Sequence, residues 1–468
     1  MSNNCILWFR KDLRLDDNKA LVKAAQYQNI FPIFIFDNSL HEYAKIGGAS
    51  HWWMEKALIS LNNHLNKNLN IFDGNSLKII VELCKEHNIK NVFLNRCYEP
   101  DRIIADKKIK KVLKDKEINV QSFNSSLLWE PWKIKNRSGS FYKVFTPFFK
   151  KGCLEAEEPR YPINAPSKTN FLKINSSQKR YKFQFNRDTK KWYSKFENIW
   201  NVSEHEANKI FKKFLIKGIR DYKEGRNFPN KKNVSRISGY LHWGQISPFR
   251  IWHDVKNSIL DDNKNTFLSE LGWREFSYNL LYHYPNINNK NLKQQFDNLK
   301  WDNNKKNLVL WQLGKTGYPI VDAGMREHWQ TGYMHNRLRM ITASFLVKNL
   351  LIHWKYGERW FWDCLIDADL ANNSASWQWV AGTGSDAAPF FRIFNPITQG
   401  QKFDKEASYI RTYLPELSKL PNKYIFTPWL TDKSILDKIN LKLGRDYPFP
   451  IIDYTYSRKR ALEAFKNI

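Results

Sequence analysis

The sequence predicts an N-terminal α/β domain of Rossmann-like type, a connector, and an all-α C-terminal domain. Three observations carry this. Short apolar runs alternate with helix-like segments as far as Trp129. Helical patterns dominate after Val202, with few strand signals. The length, 468 residues, exceeds what one core ordinarily serves.

The elements follow in order. "CILWF" reads as a strand and "DDNKALVKAAQ" as a helix. "IFPIFIF" is strand-like, and "SHWWMEKALISLNNHLNK" is helix-like. Then come "NLNIF", a helix near Leu77 to His87, "NVFLN", a charged helix near Asp101 to Glu117, and "NVQSF". Strands alternating with helices imply a parallel sheet covered on both faces. No GxGxxG follows a strand, so the usual dinucleotide fingerprint is missing. The domain reading is 1–129 for the α/β part, 130–202 for a surface connector rich in segments such as "EEPRYPINAPSKTN", and 203–468 for the helical part. Ser203 with Glu206 forms a capping box at its start.

Composition sets bounds. No apolar run reaches the roughly 18 residues of a membrane helix, and "MSNNCILWFRKDLRL" lacks the pattern of a signal peptide. Five scattered cysteines without a CxxC pair, and histidines without ligand spacing, fit a reducing cytoplasm and no metal. The formal charge of +29 points to a polyanion such as nucleic acid, or to general overuse of Lys and Asn. The 19 tryptophans mean a large aromatic core or an aromatic-binding site.

Four helical segments have unusual compositions. In "RNFPNKKNVSRISGYLHWGQISP", Ser235 and Ser238 begin a predicted helix, as an anion site or as plain caps. In "FLSELGWREFSYNLLYHYP", Glu270 and Trp273 share a helix face with Arg274, as a pocket wall or as a solvated ion pair. In "YMHNRLRMITASFLVKNLL", the helix is apolar almost all round from Met340, yet His335, Asn336, Arg337 and Arg339 lead it. Such groups are costly to desolvate without partners. In "LIDADLANNSASWQWVAGTGSDAAPFFRIFNP", Asp367, Asp369, Asn372, Asn373, Trp377 and Trp379 crowd an apolar neighbourhood, a pattern typical of a ligand pocket.

Taken in order, "LWFRKDLRLDDNKAL", "FYKVFTPF", "GKTGYPIVDAGMR", "YMHNRLRM" and "FFRIFNPITQGQKFD" resemble the DNA photolyase and cryptochrome flavoprotein family, and within it the class I-type cyclobutane pyrimidine dimer photolyases. The likeness spans nearly the whole chain. It implies an antenna-type α/β domain and a helical domain that binds FAD, DNA and the lesion. Tyr222, Val234, Ser235, Arg236, Ile237, Ser238 and Phe267 then match flavin contacts, with the serines on the diphosphate. Asp367, Ala368 and Asp369 match the run beside the flavin, and Arg339 the ion partner of Asp367. Asn373 matches the residue facing flavin N5. Trp377, Trp354 and Trp301 match the indoles that carry an electron inward from the surface. Packing tryptophans is the other reading of each.

The resemblance also gives the opening polar residues a task. Asn336 would bind the lesion or flavin edge, and Met340 would pack on the damaged bases. Glu270 would bond the lesion carbonyls. Trp273 and Trp379 would wedge around it, and Arg226, Arg274, Arg337 and Gln399 match the DNA face. The implied reaction is electron transfer from photoexcited, fully reduced FAD to a flipped-out dimer. Photolyases are themselves standard examples of base flipping, whose unstacking cost, roughly a few kcal/mol, is least at a poorly paired lesion. The (6-4) enzymes place histidines where this chain has Asn336 and Met340, for proton transfer. Plant-type cryptochromes place Asp at the position of Asn373. Dimer repair is therefore expected ahead of a cryptochrome-type photoreceptor, with a (6-4) photolyase third. An antenna chromophore is expected, methenyltetrahydrofolate first and a deazaflavin second, although Asp101 and Arg102 depart from the folate pattern. The expected partner is UV-damaged DNA, with no membrane and no obligate protein partner, for a cytoplasmic, nucleoid-associated monomer.

Overall fold

A computed structural model describes residues 3–40, 46–183, 192–258 and 261–468. The chain divides into two compact units. The first comprises residues 1–217, 235–285 and 366–371; the second comprises 218–234, 286–365 and 372–468.

In the first unit, β1 (Asn4–Phe9), β2 (Asn29–Phe36), β3 (Asn70–Asp73), β4 (Asn91–Asn95) and β5 (Asn119–Phe123) form one sheet of order β3-β2-β1-β4-β5. Every pairing is parallel, with Ile6 level with Phe31 on one side and Val92 on the other. The strands β1, β2 and β4 were legible as short apolar runs because they are buried on both faces, whereas the edge strand β5, NVQSF, is only partly buried. The crossovers are α1 (Lys19–Ala24), α2 (Gly48–His64), α3 (Ser76–Glu86) and α4 (Pro100–Asp115). Asn18 and Asn75 cap α1 and α3 through their side chains.

The connector expected on the surface is partly built into this unit. Phe171 pairs with Ile30, and Arg180 pairs with Phe72, so the connector extends and covers a sheet edge. Three further helices follow it: α5 (Glu204–Ile216), α6 (Ser238–His242) and α7 (Pro248–Lys256). The long α8 (Asp262–His283) comes next. The predicted cap of α5 is present, with Glu206 N donating to Ser203 Oγ at 3.0 Å.

The second unit holds α9 (Lys305–Gln312), α10 (Pro319–Thr331), α11 (Asn336–Ser344), α12 (Trp354–Cys364), most of α13 (Leu370–Ala381), α14 (Pro396–Phe403) and α15 (Tyr454–Lys466). The motif "GKTGYPIVDAGMR" folds around Asp322, which accepts from Thr316 N, Thr316 Oγ1, Gly317 N and Tyr447 Oη. Gly317 sits at φ +82, where a Cβ would lie 2.4 Å from Phe449 O, so no larger residue fits there. The run "YMHNRLRMITASFLVKNLL" is not one α-helix. It turns π-helical over Phe345–Asn349. Both α11 and α12 are capped by a histidine: His335 and His353 accept from the N–H groups of Arg337 and Lys355 through Nδ1. Among the described residues no group of His, Cys, Asp and Glu could hold a metal ion, and no helix is long and apolar enough to cross a membrane.

Candidate active site

In the first unit, the run around Ser235 bends sharply. Arg236 takes φ +54, a left-handed conformation unusual for its type. Its guanidinium lies 4.7 Å over the Trp200 ring. Buried Ile237 occupies the N-cap of α6, and no side chain caps that helix. The reading of the serines as caps therefore fails. Phe267, buried on α8, packs its ring 4.9 Å from Phe214.

One short stretch of α8 carries further candidates. Glu270 is half-buried. Trp273 is half-buried and has one face covered by Phe145, at 3.8 Å and 10°. Arg274, expected at the DNA face, has partners within this unit. It donates to Ser126 O at 2.7 Å, pairs with Glu275 at 3.1 Å and lies over Tyr278, and its side chain is only 14% exposed.

Asp369 is buried and accepts from Tyr278 Oη at 2.5 Å. His242 Nδ1 stands 3.5 Å away. Burial alone would raise this carboxyl. The His242 ring, the Lys11 charge and the Tyr278 hydroxyl override it and hold Asp369 well below the usual carboxylate range. Ala368 is buried, while Asp367 is half-buried and more open than Asp369.

In the second unit, Asn373 is 8% exposed. Its Nδ2 donates to both Glu358 O and Glu358 Oε1, each at 3.1 Å. Burial pushes the Glu358 carboxyl up to about 7, against the hydrogen bonds from Ser374 and Asn373. Sequence reasoning missed Glu358. Its signal was present, because Trp354, Gly357, Glu358, Phe361 and Cys364 form the buried face of α12 at three-and-four spacing, and one of them is a carboxylate. His242 and Tyr278 were also missed, and no local pattern marks them.

The three indoles differ in exposure, two being buried and one partly exposed. Trp377 is buried, 4.9 Å from Phe361 and 6.3 Å from Trp311. Its ring lies against the backbone of α12, where a Cβ on Gly357 would approach within 2.1 Å. Trp354 is fully buried, and Trp301 is partly exposed.

A basic cluster lies in the same unit. Arg337 donates to Asn227 Oδ1, and its guanidinium sits 4.4 Å over Phe403. Burial and the neighbouring Arg226 charge both lower its pKa. Like charges held close in this way favour an incoming anion. Arg226 lies 5.3 Å over the buried Tyr222 ring. Asn336 is exposed at the start of α11, and Met340, Trp379 and Gln399 are half-buried. Arg339 Nε donates to Met334 O at 2.8 Å. Val234 is half-buried.

Residues 5–167 match the family model described as DNA photolyase, and residues 267–467 match the FAD binding domain of DNA photolyase. A deoxyribodipyrimidine photo-lyase of Agrobacterium fabrum is 42% identical, covering 99% of this chain and 98% of that protein. Cryptochrome-2 of Arabidopsis thaliana is 34% identical over 100% of this chain and 79% of its own length. A crystal structure described as a bacterial class III photolyase from Agrobacterium tumefaciens superposes with TM-score 0.94 and 41% identity, covering 100% and 98% of the two chains. The class I-type expectation finds no support beside that likeness. The chain belongs to the DNA photolyase and cryptochrome family.

Proposed function

We infer that the protein is a deoxyribodipyrimidine photo-lyase, a carbon–carbon lyase that repairs DNA in light by splitting cyclobutane pyrimidine dimers. The class III description of the Agrobacterium structure is extended to this chain on their likeness. The residues suit FAD. Ser235 and Ser238 are half-buried, and no side chain caps the helix that Ser238 begins, so their hydroxyls would meet the diphosphate. Asn373 offers a neutral amide fixed by Glu358. Bound FAD, in reduced form, supplies the light-driven electron for the dimer.

The remaining work belongs to side chains. Asn373 meets the flavin without adding charge. Glu270 accepts a hydrogen bond from the lesion, and Trp273 and Trp379 offer aromatic faces to it. Asn336, Arg226, Arg337 and Gln399 hold the DNA. Trp301, Trp354 and Trp377 deliver electrons that restore the reduced cofactor. Methenyltetrahydrofolate is the proposed antenna, with a deazaflavin as the alternative. An absorption spectrum before and after cofactor extraction separates the two. The proposed setting is a monomer on cytoplasmic DNA, supported by the net charge of +29.

The observation that carries repair over photoreception is the buried amide at Asn373, where an ionised carboxylate would repel a reduced, anionic flavin. The test is blue-light illumination of reduced protein with a dimer-bearing oligonucleotide. Dimers should disappear only in the light. A protein that binds FAD, leaves dimers intact and binds damaged and intact duplex equally would be a photoreceptor. That second reading is supported by the likeness to Cryptochrome-2, which covers 100% of this chain and 79% of that protein.

A further inference from the structure

The middle of the indole path has an unusual environment. Trp354 Nε1 donates to Asn291 Oδ1 at 2.8 Å, and Asn291 Nδ2 donates to Asp297 Oδ1 at 2.7 Å. The second bond fixes the first, since the amide cannot turn without losing both. An amide oxygen accepts a hydrogen bond but is a very weak base. The buried Trp354 indole therefore faces an acceptor that will not take its proton.

His353 occupies the next step. Its ring centroid lies 5.6 Å from Trp354 and 4.9 Å from Trp301. Nδ1 is engaged by Lys355 N, which fixes the ring plane and leaves the proton of the neutral ring on Nε2. Burial and the Lys355 charge lower its pKa to about 4. The loop bearing Trp301 is tied to the same segment. Asp302 N donates to Leu351 O and His353 N to Asn303 Oδ1, both at 2.9 Å. Arg460 of α15 pairs with Asp302 at 2.9 Å.

We propose that Asn291 and His353 are positioning residues of the indole path, holding Trp354 as a relay that keeps its proton and bridging it to Trp301 through a neutral ring. This deepens the photolyase reading and rests on it. Trp377 gives one electron to the bound cofactor, and Trp354 refills Trp377. Trp301 then refills Trp354 and, being partly exposed, releases its N–H proton to water. A thiol in solution returns an electron to Trp301, and water returns the proton.

The test uses full-length, flavin-loaded protein and transient absorption, in which cationic and neutral indole radicals differ. Asn291→Asp places a base at the Trp354 N–H. A neutral radical should then form early, and electron supply from Trp301 should fall roughly tenfold, a small rise in barrier. His353→Ala should slow the last step by a similar factor, whereas His353→Phe, which restores a ring, should recover it. Repair by chemically pre-reduced protein should be unchanged in all three variants. The indole N–H signal of Trp354 in NMR should be protected from exchange in wild type and lose protection in Asn291→Leu. Wild-type radical kinetics in both Asn291→Asp and His353→Ala would overturn the proposal while leaving the photolyase reading intact. A wild-type protein showing no light-driven reduction at all would also overturn the proposal, whereas pre-reduced wild-type protein that leaves dimers intact in the light would overturn the photolyase reading.

Discussion

Asn373 is gripped by Glu358 through a backbone carbonyl and a carboxylate on one amide nitrogen, so its orientation is settled within the protein. Replacing it by Asp removes that donor and adds a second carboxyl beside a buried one. Asn373→Asp should retain FAD, as judged by its absorption after gel filtration, and lose most dimer repair in a light-dependent strand assay. Wild-type repair rates in this variant would remove the main argument against a photoreceptor. Glu358 itself makes a pH prediction. Its folded pKa is raised to about 7 from an ordinary 4.5. Its contribution to stability is therefore full below pH 4.5 and is lost as pH rises through 7, a swing of roughly 3 kcal/mol at most. Glu358→Gln should match wild type in urea unfolding at about pH 5 and exceed it at about pH 8, by roughly 1–3 kcal/mol. Equal stability at both pH values would show that the carboxyl is not strained by burial.

At the scale of elements, α12 and α13 meet through Gly357 and Trp377. A Cβ at position 357 would stand 2.1 Å from Trp377 Cη2, closer than any contact can be. Gly357→Ala should cost roughly 1–3 kcal/mol as an overpacked core. Because the indole must turn aside, light-driven reduction should fall while dark binding of FAD persists, which parallel photoreduction and calorimetry would show. A variant with unchanged photoreduction would mean that the ring shifts without breaking the path. These elements also show what the sequence makes legible. The strands β1, β2 and β4 stood out because continuous apolar runs need a sheet buried on both faces. The start of α5 stood out because capping is local chemistry. The π-helical turn at Phe345–Asn349 did not, since its residues fit an α-helix equally well and only packing selects it. Glu358 beside Asn373, His242 beside Asp369 and His353 against Trp301 were hidden for the same reason: each pair is distant in sequence and meets only after the helices pack.

At the scale of the whole molecule, periodicity located the change from α/β to helical patterns but not the compact units. The helices α6, α7 and α8 group with the sheet although they follow the connector, because grouping is decided by packing rather than by element type. The net charge of +29 acts over the entire surface. The logarithm of DNA affinity should fall linearly with the logarithm of salt, with a slope near −0.9 for each phosphate neutralised. Dimer-bearing duplex should keep its advantage at about 0.15 M salt, where backbone attraction is screened. A titration series by fluorescence anisotropy measures both, and the loss of the damaged-DNA advantage at that salt would mean the lesion is not recognised in a pocket.

The cysteines carry a practical consequence. All five are free and buried. Burial raises every thiol, Cys97 to about 11 and Cys5 and Cys84 to about 12, with Cys153 and Cys364 raised as well. The thiolate is the reactive form, so at neutral pH the folded protein should be nearly inert toward maleimides. Mass spectrometry of the native protein should show almost no adduct, whereas urea-unfolded protein should take up five. A variant such as Lys107→Cys, at an exposed position on α4, should then accept a single dye in minutes without removal of any native cysteine. Distances from such a dye to labelled DNA could be measured on a protein whose core remains wild type.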